Sequence, residues 1–136
     1  MRTPVRVIDE PTFAARLRQA LKSADLANVG AVTGPGRSGA IAAAYASHIL
    51  GIPFIPYGAR CPDQFKILIV DTARESGRTL RKAERRYKLN APVVVVAFEE
   101  PPRVMFWYEA PKPQHYRHER SYRNAEAQPP ASSLAA

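Results

Sequence analysis

Residues 66–80 read KILIVDTARESGRTL, and the fold turns on this stretch. Residues 67–70 are four apolar side chains in a row and read as a buried strand that ends on an acid, Asp71. A loop of small and polar residues follows from 74 to 79, with two hydroxyls (Ser76, Thr79) and a glycine, Gly77, that permits a sharp bend. Basic residues from Arg78 to 88 then read as a helix. Strand, tight loop and helix N-terminus in that order aim backbone N–H groups and the positive end of a helix dipole at one point. Such a point suits an anion.

Outward from this stretch, helical and strand signals alternate. Residues 12–28 carry Phe13, Leu17, Ala20, Leu21 and Ala24 on one helical face, with Thr12 a cap candidate after Pro11. Val29–Thr33 reads as a short buried strand and 38–50 as an alanine-rich helix stopped by Gly51. Residues 52–56 read as a second strand, and 92–98, with four successive valines, as the strongest strand signal. After the Pro101-Pro102 turn, 104–108 reads as a fifth strand. Helices alternating with unbroken apolar strands predict an α/β fold: one domain, with a parallel sheet of four to five strands flanked by helices. Ligands in such sheets bind outside the strands' carboxyl ends, where both glycine-containing loops fall.

The 136 residues accommodate one domain over 1–110 followed by a basic, proline-rich tail, 111–136, expected to be partly disordered. A hydrophobic content of 46% and a charged content of 24% are those of an ordinary globular chain. No stretch is long enough to span a membrane and the N-terminus lacks a signal-like apolar segment, so a cytoplasmic protein is expected. The single cysteine, Cys61, leaves no intrachain disulfide and no cysteine metal cluster. The net charge of +8 suggests an anionic partner, and residues 74–88 hold seven basic side chains against two acids. That run is either a solvated helix face or a patch that steers an anion towards the adjacent loop.

The first loop, Gly34-Pro35-Gly36-Arg37-Ser38-Gly39, matches G-x-G-x-x-G between a strand and a helix. A dinucleotide site would need an acid at the end of the next strand, and PFIPYG offers none. A phosphate-binding P-loop fails as well, because Ala40 and Ile41 stand where Lys and Ser/Thr belong. A turn that serves only helix–sheet packing is the plain alternative.

Taken together, the two loops resemble those of the type I phosphoribosyltransferases, over roughly residues 29–98. In that family a strand leads to two adjacent acids and a Thr/Ser-Gly-x-Thr loop, and an earlier strand leads to a basic residue followed by two glycines. Asp71 takes the first acid position and Thr72 replaces the second; Ser76, Gly77 and Thr79 take the phosphate loop. Arg37 takes the basic position, Ser38 replaces the first glycine and Gly39 takes the second.

The resemblance implies binding of phosphoribosyl pyrophosphate (PRPP) and a nucleobase or nucleotide, and transfer of phosphoribosyl with release of pyrophosphate. It implies Ser76, Gly77, Arg78 and Thr79 at the 5′-phosphate, and Gly36, Arg37, Ser38 and Gly39 at the pyrophosphate. Asp71 and Thr72 would meet the ribose, with Asp71 reaching a magnesium ion indirectly. Glu75, catalytic with Asp71 in this reading, either accepts a proton from a purine nitrogen or pairs with Arg74 or Arg78. Trp107 either stacks on the base or packs in the core.

Two departures point to weaker catalysis: Thr72 removes a charge, and residues 58–65 are short where the family carries a mobile lid. A regulatory protein that binds PRPP or nucleotide without turnover is therefore one alternative. Nucleic-acid binding is another, through 74–88 and the tail from 112 to 123, where four basic residues alternate with His115, Tyr116, His118 and Tyr122. The tail could equally pack on a neighbouring subunit in a homodimer. No membrane partner is expected.

Overall fold

The computed structural model describes residues 6–74, 77–99 and 104–109. In chain order these form β1 (Arg6–Ile8), α1 (Glu10–Lys22), β2 (Val29–Thr33), α2 (Gly36–Leu50), β3 (Lys66–Ala73), α3 (Arg78–Arg86), a 3-10 turn (Lys88–Asn90), β4 (Val93–Phe98) and β5 (Val104–Phe106). The predicted α/β class is what forms, and every pairing between these strands is parallel. The strands divide between two sheets, however, and not into one sheet of four to five. β2, β3 and β4 lie side by side, and β1 pairs separately with β5. β1 is three residues long with two of them exposed, too short for an apolar pattern to reveal.

The three-stranded sheet is covered on both faces, which explains its unbroken apolar runs. Leu68 and Val70 of β3 face the larger core, packed with Phe13, Leu17 and Leu21 of α1 and Ala42, Ala43 and Ala46 of α2. Ile67 and Ile69 face the other way, with Leu80 and Ala83 of α3 and Tyr87. Ala42, Ala43 and Ala46 of α2 are fully buried, so this face of the helix lies close against the sheet.

Local chemistry moves several boundaries. Asp9, not Thr12, caps α1: its carboxylate accepts the Thr12 N–H at 2.9 Å, and Pro11 fits the first turn because it has no N–H to satisfy. The helix then stops at Lys22 with Ser23 as its C-cap, short of residue 28. Residues 52–56 do not make a strand. Pro53 and Pro56 have no N–H to donate, so the segment reaches β2 only through an isolated bridge between Val32 and Phe54. α3 ends at Arg86, before the predicted 88, and β5 gives way to a turn over 107–109.

β3 runs beyond the apolar stretch to Ala73, because β4 continues alongside it. Asp71 pairs with Val96, Ala73 with Phe98, and the Arg74 N–H donates to the Phe98 carbonyl at 3.0 Å. Asp71 and Thr72 thus stand in the sheet ladder, more firmly held than loop residues. The tail 111–136, with His115 and His118, lies outside the described residues, as do Glu75 and Ser76. No helix among the described residues is long and apolar enough to cross a membrane.

Candidate active site

The two loops open at the same end of the sheet, one after β2 and one after β3. Pro35 and Gly77 are the N-cap residues of α2 and α3, and neither has a side chain able to cap a helix. Neither helix carries an acid in its first turn. Both therefore present first-turn amides and a positive dipole end without a neutralising side chain of their own, which favours a bound anion. In α1, by contrast, Asp9 and Glu10 fill that role.

Close backbone packing fixes the first loop against β3. A Cβ on Gly34 would lie 2.0 Å from the Gly39 carbonyl oxygen and 2.6 Å from that of Val70, so only glycine fits. Gly36, Arg37 and, half-buried, Ser38 are left facing outward beyond this contact. In the second loop Gly77 has φ +81°, a left-handed conformation that turns the chain into α3. The position of a Gly77 Cβ lies 2.9 Å from an Arg81 guanidinium nitrogen and 3.8 Å from one of Arg74, so two cations flank the loop.

A pocket of about 260 Å³ joins the two loops. Ser38 lines it from the first loop, Asp71 and Thr72 from the end of β3, Gly77 and Thr79 from the second loop, and Phe106 and Glu109 from β5 and the turn after it. Arg37 stands beside it, its guanidinium carbon 5.9 Å from the centre of the Tyr108 ring. Arg78 and Thr79 are exposed in the first turn of α3.

Asp71 is the site's most perturbed group. Burial raises its pKa from 3.8 to about 6, against the opposing pull of hydrogen bonds from Thr72 and the charge of Arg74. The Thr72 N–H donates to Asp71 Oδ1 at 2.7 Å. Thr72 itself is almost fully buried, at 4% exposure. Among the described residues no three acidic, histidine or cysteine side chains converge to hold a metal ion. The two carboxyls that line the pocket, Asp71 and Glu109, fall short of such a set and suit a cation that arrives with a phosphate ligand.

Most of the residues picked from sequence gather here: Ser38, Asp71, Thr72, Gly77 and Thr79 share the pocket, with Gly36, Arg37 and Arg78 at the adjoining helix starts. Trp107 does not line it. Its ring packs 5.8 Å from Phe13, 6.3 Å from Tyr45 and 5.1 Å from Tyr108, anchoring the turn after β5 on α1 and α2. The contribution of Val104, Phe106 and Glu109 was not legible in the sequence, because it depends on β5 pairing with β1. Glu109 holds its own turn, accepting the Phe106 N–H at 3.1 Å.

The fold is that of the type I phosphoribosyltransferases. The chain is similar to a xanthine-guanine-hypoxanthine phosphoribosyltransferase of Helicobacter pylori, with a TM-score of 0.63 and 13% identity over 88% of this chain and 99% of that one. It is also similar to a purine phosphoribosyltransferase of Pyrococcus horikoshii Ot3, with a TM-score of 0.57 and 18% identity over 76% of this chain and 94% of that one. No protein-family model and no curated protein matches the sequence.

Proposed function

We propose that this chain binds PRPP, or the nucleoside monophosphate that would be its product, across the two loops and transfers the phosphoribosyl group to a nucleobase. The observation that carries this reading is a pocket lined by residues of both loops, with a perturbed carboxyl between them. Arg37 and the amides of residues 36–39 receive the pyrophosphate. Gly77, Arg78 and Thr79, with Ser76 of the same loop, hold the 5′-phosphate. Asp71 accepts hydrogen bonds from the ribose hydroxyls, which offset the desolvation of its buried carboxylate.

In the transfer, a base nitrogen bonds to C1′ as the bond from C1′ to pyrophosphate breaks, and the electron pair leaves on the pyrophosphate oxygen. The nitrogen's proton passes to Glu75, a role that rests on sequence position alone. Magnesium brought in with PRPP would neutralise charge on the departing group, and Asp71, at the end of β3, would be the carboxylate that reaches it. Purine bases are the first acceptors to try, since both similar structures are named for purine substrates.

Isothermal titration with PRPP and magnesium tests binding; the expected result is saturable heat, and none at millimolar ligand ends the proposal. Pyrophosphate release across purine bases and orotate tests turnover. Thr72 at the second acid position favours one other reading, a nucleotide sensor without turnover. Binding without pyrophosphate release on any base selects it.

A further inference from the structure

Tyr108 connects the parts of this site, and nothing so far has given it a task there. Its hydroxyl lies 2.6 Å from Ser38 Oγ, a hydrogen bond across 70 residues of chain, from the turn after β5 to the first loop. The guanidinium of Arg37 stands 5.9 Å from the centre of its ring. Its ring stacks on Phe106, with centroids 5.9 Å apart and planes 10° from parallel, and Trp107 meets it edge-on. The phenol is thus held rigidly from behind and presented to the two side chains assigned above to pyrophosphate.

We propose that Tyr108 is a positioning residue that latches the turn over 107–109 to the first loop, its hydroxyl occupying on Ser38 the place a pyrophosphate oxygen takes when ligand binds. The inference rests on the phosphoribosyltransferase reading of this pocket. A hydroxyl–hydroxyl bond is a neutral contact, and an anionic phosphate oxygen is the stronger acceptor for Ser38. Exchange of one for the other is therefore favourable, and it releases the Tyr108 hydroxyl from Ser38 while Trp107 keeps the turn on α1 and α2. Burial raises the Tyr108 pKa, so the phenol stays neutral near pH 7 and sets no phenolate against the incoming anion.

The placement gives the short segment at 58–65 a counterpart. Where a long lid between strands is missing, the turn over 107–109 is an element already touching the first loop from the other side of the pocket. Binding of pyrophosphate and release of the Tyr108 hydroxyl from Ser38 are then one event.

The chain holds one tryptophan, Trp107, inside the latched turn and 5.1 Å from the Tyr108 ring, so its emission reports the latch directly. The experiment titrates inorganic pyrophosphate with magnesium, and separately PRPP with magnesium, into wild type, Tyr108→Phe and Ser38→Ala. Heat and Trp107 emission are followed together, and circular dichroism checks each fold. In wild type the emission is expected to shift in step with the heat. Tyr108→Phe keeps the ring and removes the competing hydroxyl, so pyrophosphate should bind about threefold to tenfold more tightly. Ser38→Ala breaks the same bond from the other side, and its ligand-free emission should match that of saturated wild type.

Heat without any emission change, or unchanged or weaker pyrophosphate binding in folded Tyr108→Phe, overturns the latch and leaves the proposed function standing. Should Tyr108→Phe fail to fold, ligand-free Ser38→Ala with wild-type emission overturns it instead. No heat from either ligand with wild type takes down both.

Discussion

Replacing Asp71 with asparagine separates the stability of this fold from its chemistry. The carboxyl sits in the β3 ladder, accepts the Thr72 N–H, and has its pKa raised from 3.8 to about 6 by burial. A pKa raised on folding means the folded chain holds this proton more tightly than the unfolded chain. The stabilisation it brings is complete below about pH 4 and is lost as pH climbs through about 6. A shift of this size corresponds to about 3 kcal/mol at neutral pH, an upper value because the group keeps some solvent access. Asparagine keeps an oxygen for the Thr72 N–H and never ionises.

The expected result is therefore a variant more stable than wild type at pH 7.5, by about 1–3 kcal/mol, and equal to it near pH 4. Urea denaturation at both pH values measures this, and thermal melts should show a rise on the order of 5 °C or more at pH 7.5. The same variant should lose PRPP affinity by about tenfold or more, since a neutral amide accepts ribose hydroxyls less strongly. A variant no more stable than wild type at pH 7.5, or a difference that does not change with pH, would falsify the claim that burial of an ionised carboxylate strains this site.

Other substitutions probe the scaffold around it. Gly34→Ala drives a Cβ into the Gly39 carbonyl at 2.0 Å and should destabilise by at least about 3 kcal/mol or prevent folding, as read by circular dichroism and urea titration. Asn90→Ala removes an amide that donates to the carbonyls of Cys61, Pro62 and Phe65, the last two at 3.0 and 3.1 Å. A loss of about 2 kcal/mol in urea is expected, with PRPP binding unchanged because the contact lies away from the pocket. Thr72→Asp places a second carboxyl where only 4% of the residue is exposed, beside Asp71. That variant should be less stable than wild type, and more so at pH 8 than at pH 5, as thermal melts at the two pH values would show.

Much of this architecture was legible because parallel sheets leave an unambiguous signature. The runs ILIV and VVVV are too apolar to face water on either side, and β3 and β4 form where they occur. The two loops were legible because their shape depends on backbone, and backbone conformation leaves its mark as glycine. Gly34 and Gly39 approach within contact, and Gly77 takes a left-handed turn. The failures have other causes. The segment 52–56 looked like a strand by hydrophobicity, but strand formation also requires N–H donors, which Pro53 and Pro56 lack. β1, its pairing with the expected fifth strand, and the turn that brings Tyr108 to Ser38 depend on contacts between residues nearly 100 positions apart. No local pattern encodes that.

The alternation of β3 explains why Asp71 and Thr72 are not interchangeable. Side chains along a strand face opposite ways in turn. Asp71 shares the face of Ile67 and Ile69, which pack towards α3, so its carboxyl lies on the second loop's side, at the end of the pocket assigned above to ribose. Thr72 shares the face of Leu68 and Val70, towards α2, and its hydroxyl is one of the groups that influence Tyr108 beside Ser38. An acid at 72 would therefore set its charge against the end of the pocket assigned to pyrophosphate, in a position too buried for water to screen it. A hydroxyl there adds no further negative charge beside Arg37 and the α2 amides. The substitution that weakens the resemblance on paper thus favours anion binding at the one loop where serine has already replaced a glycine.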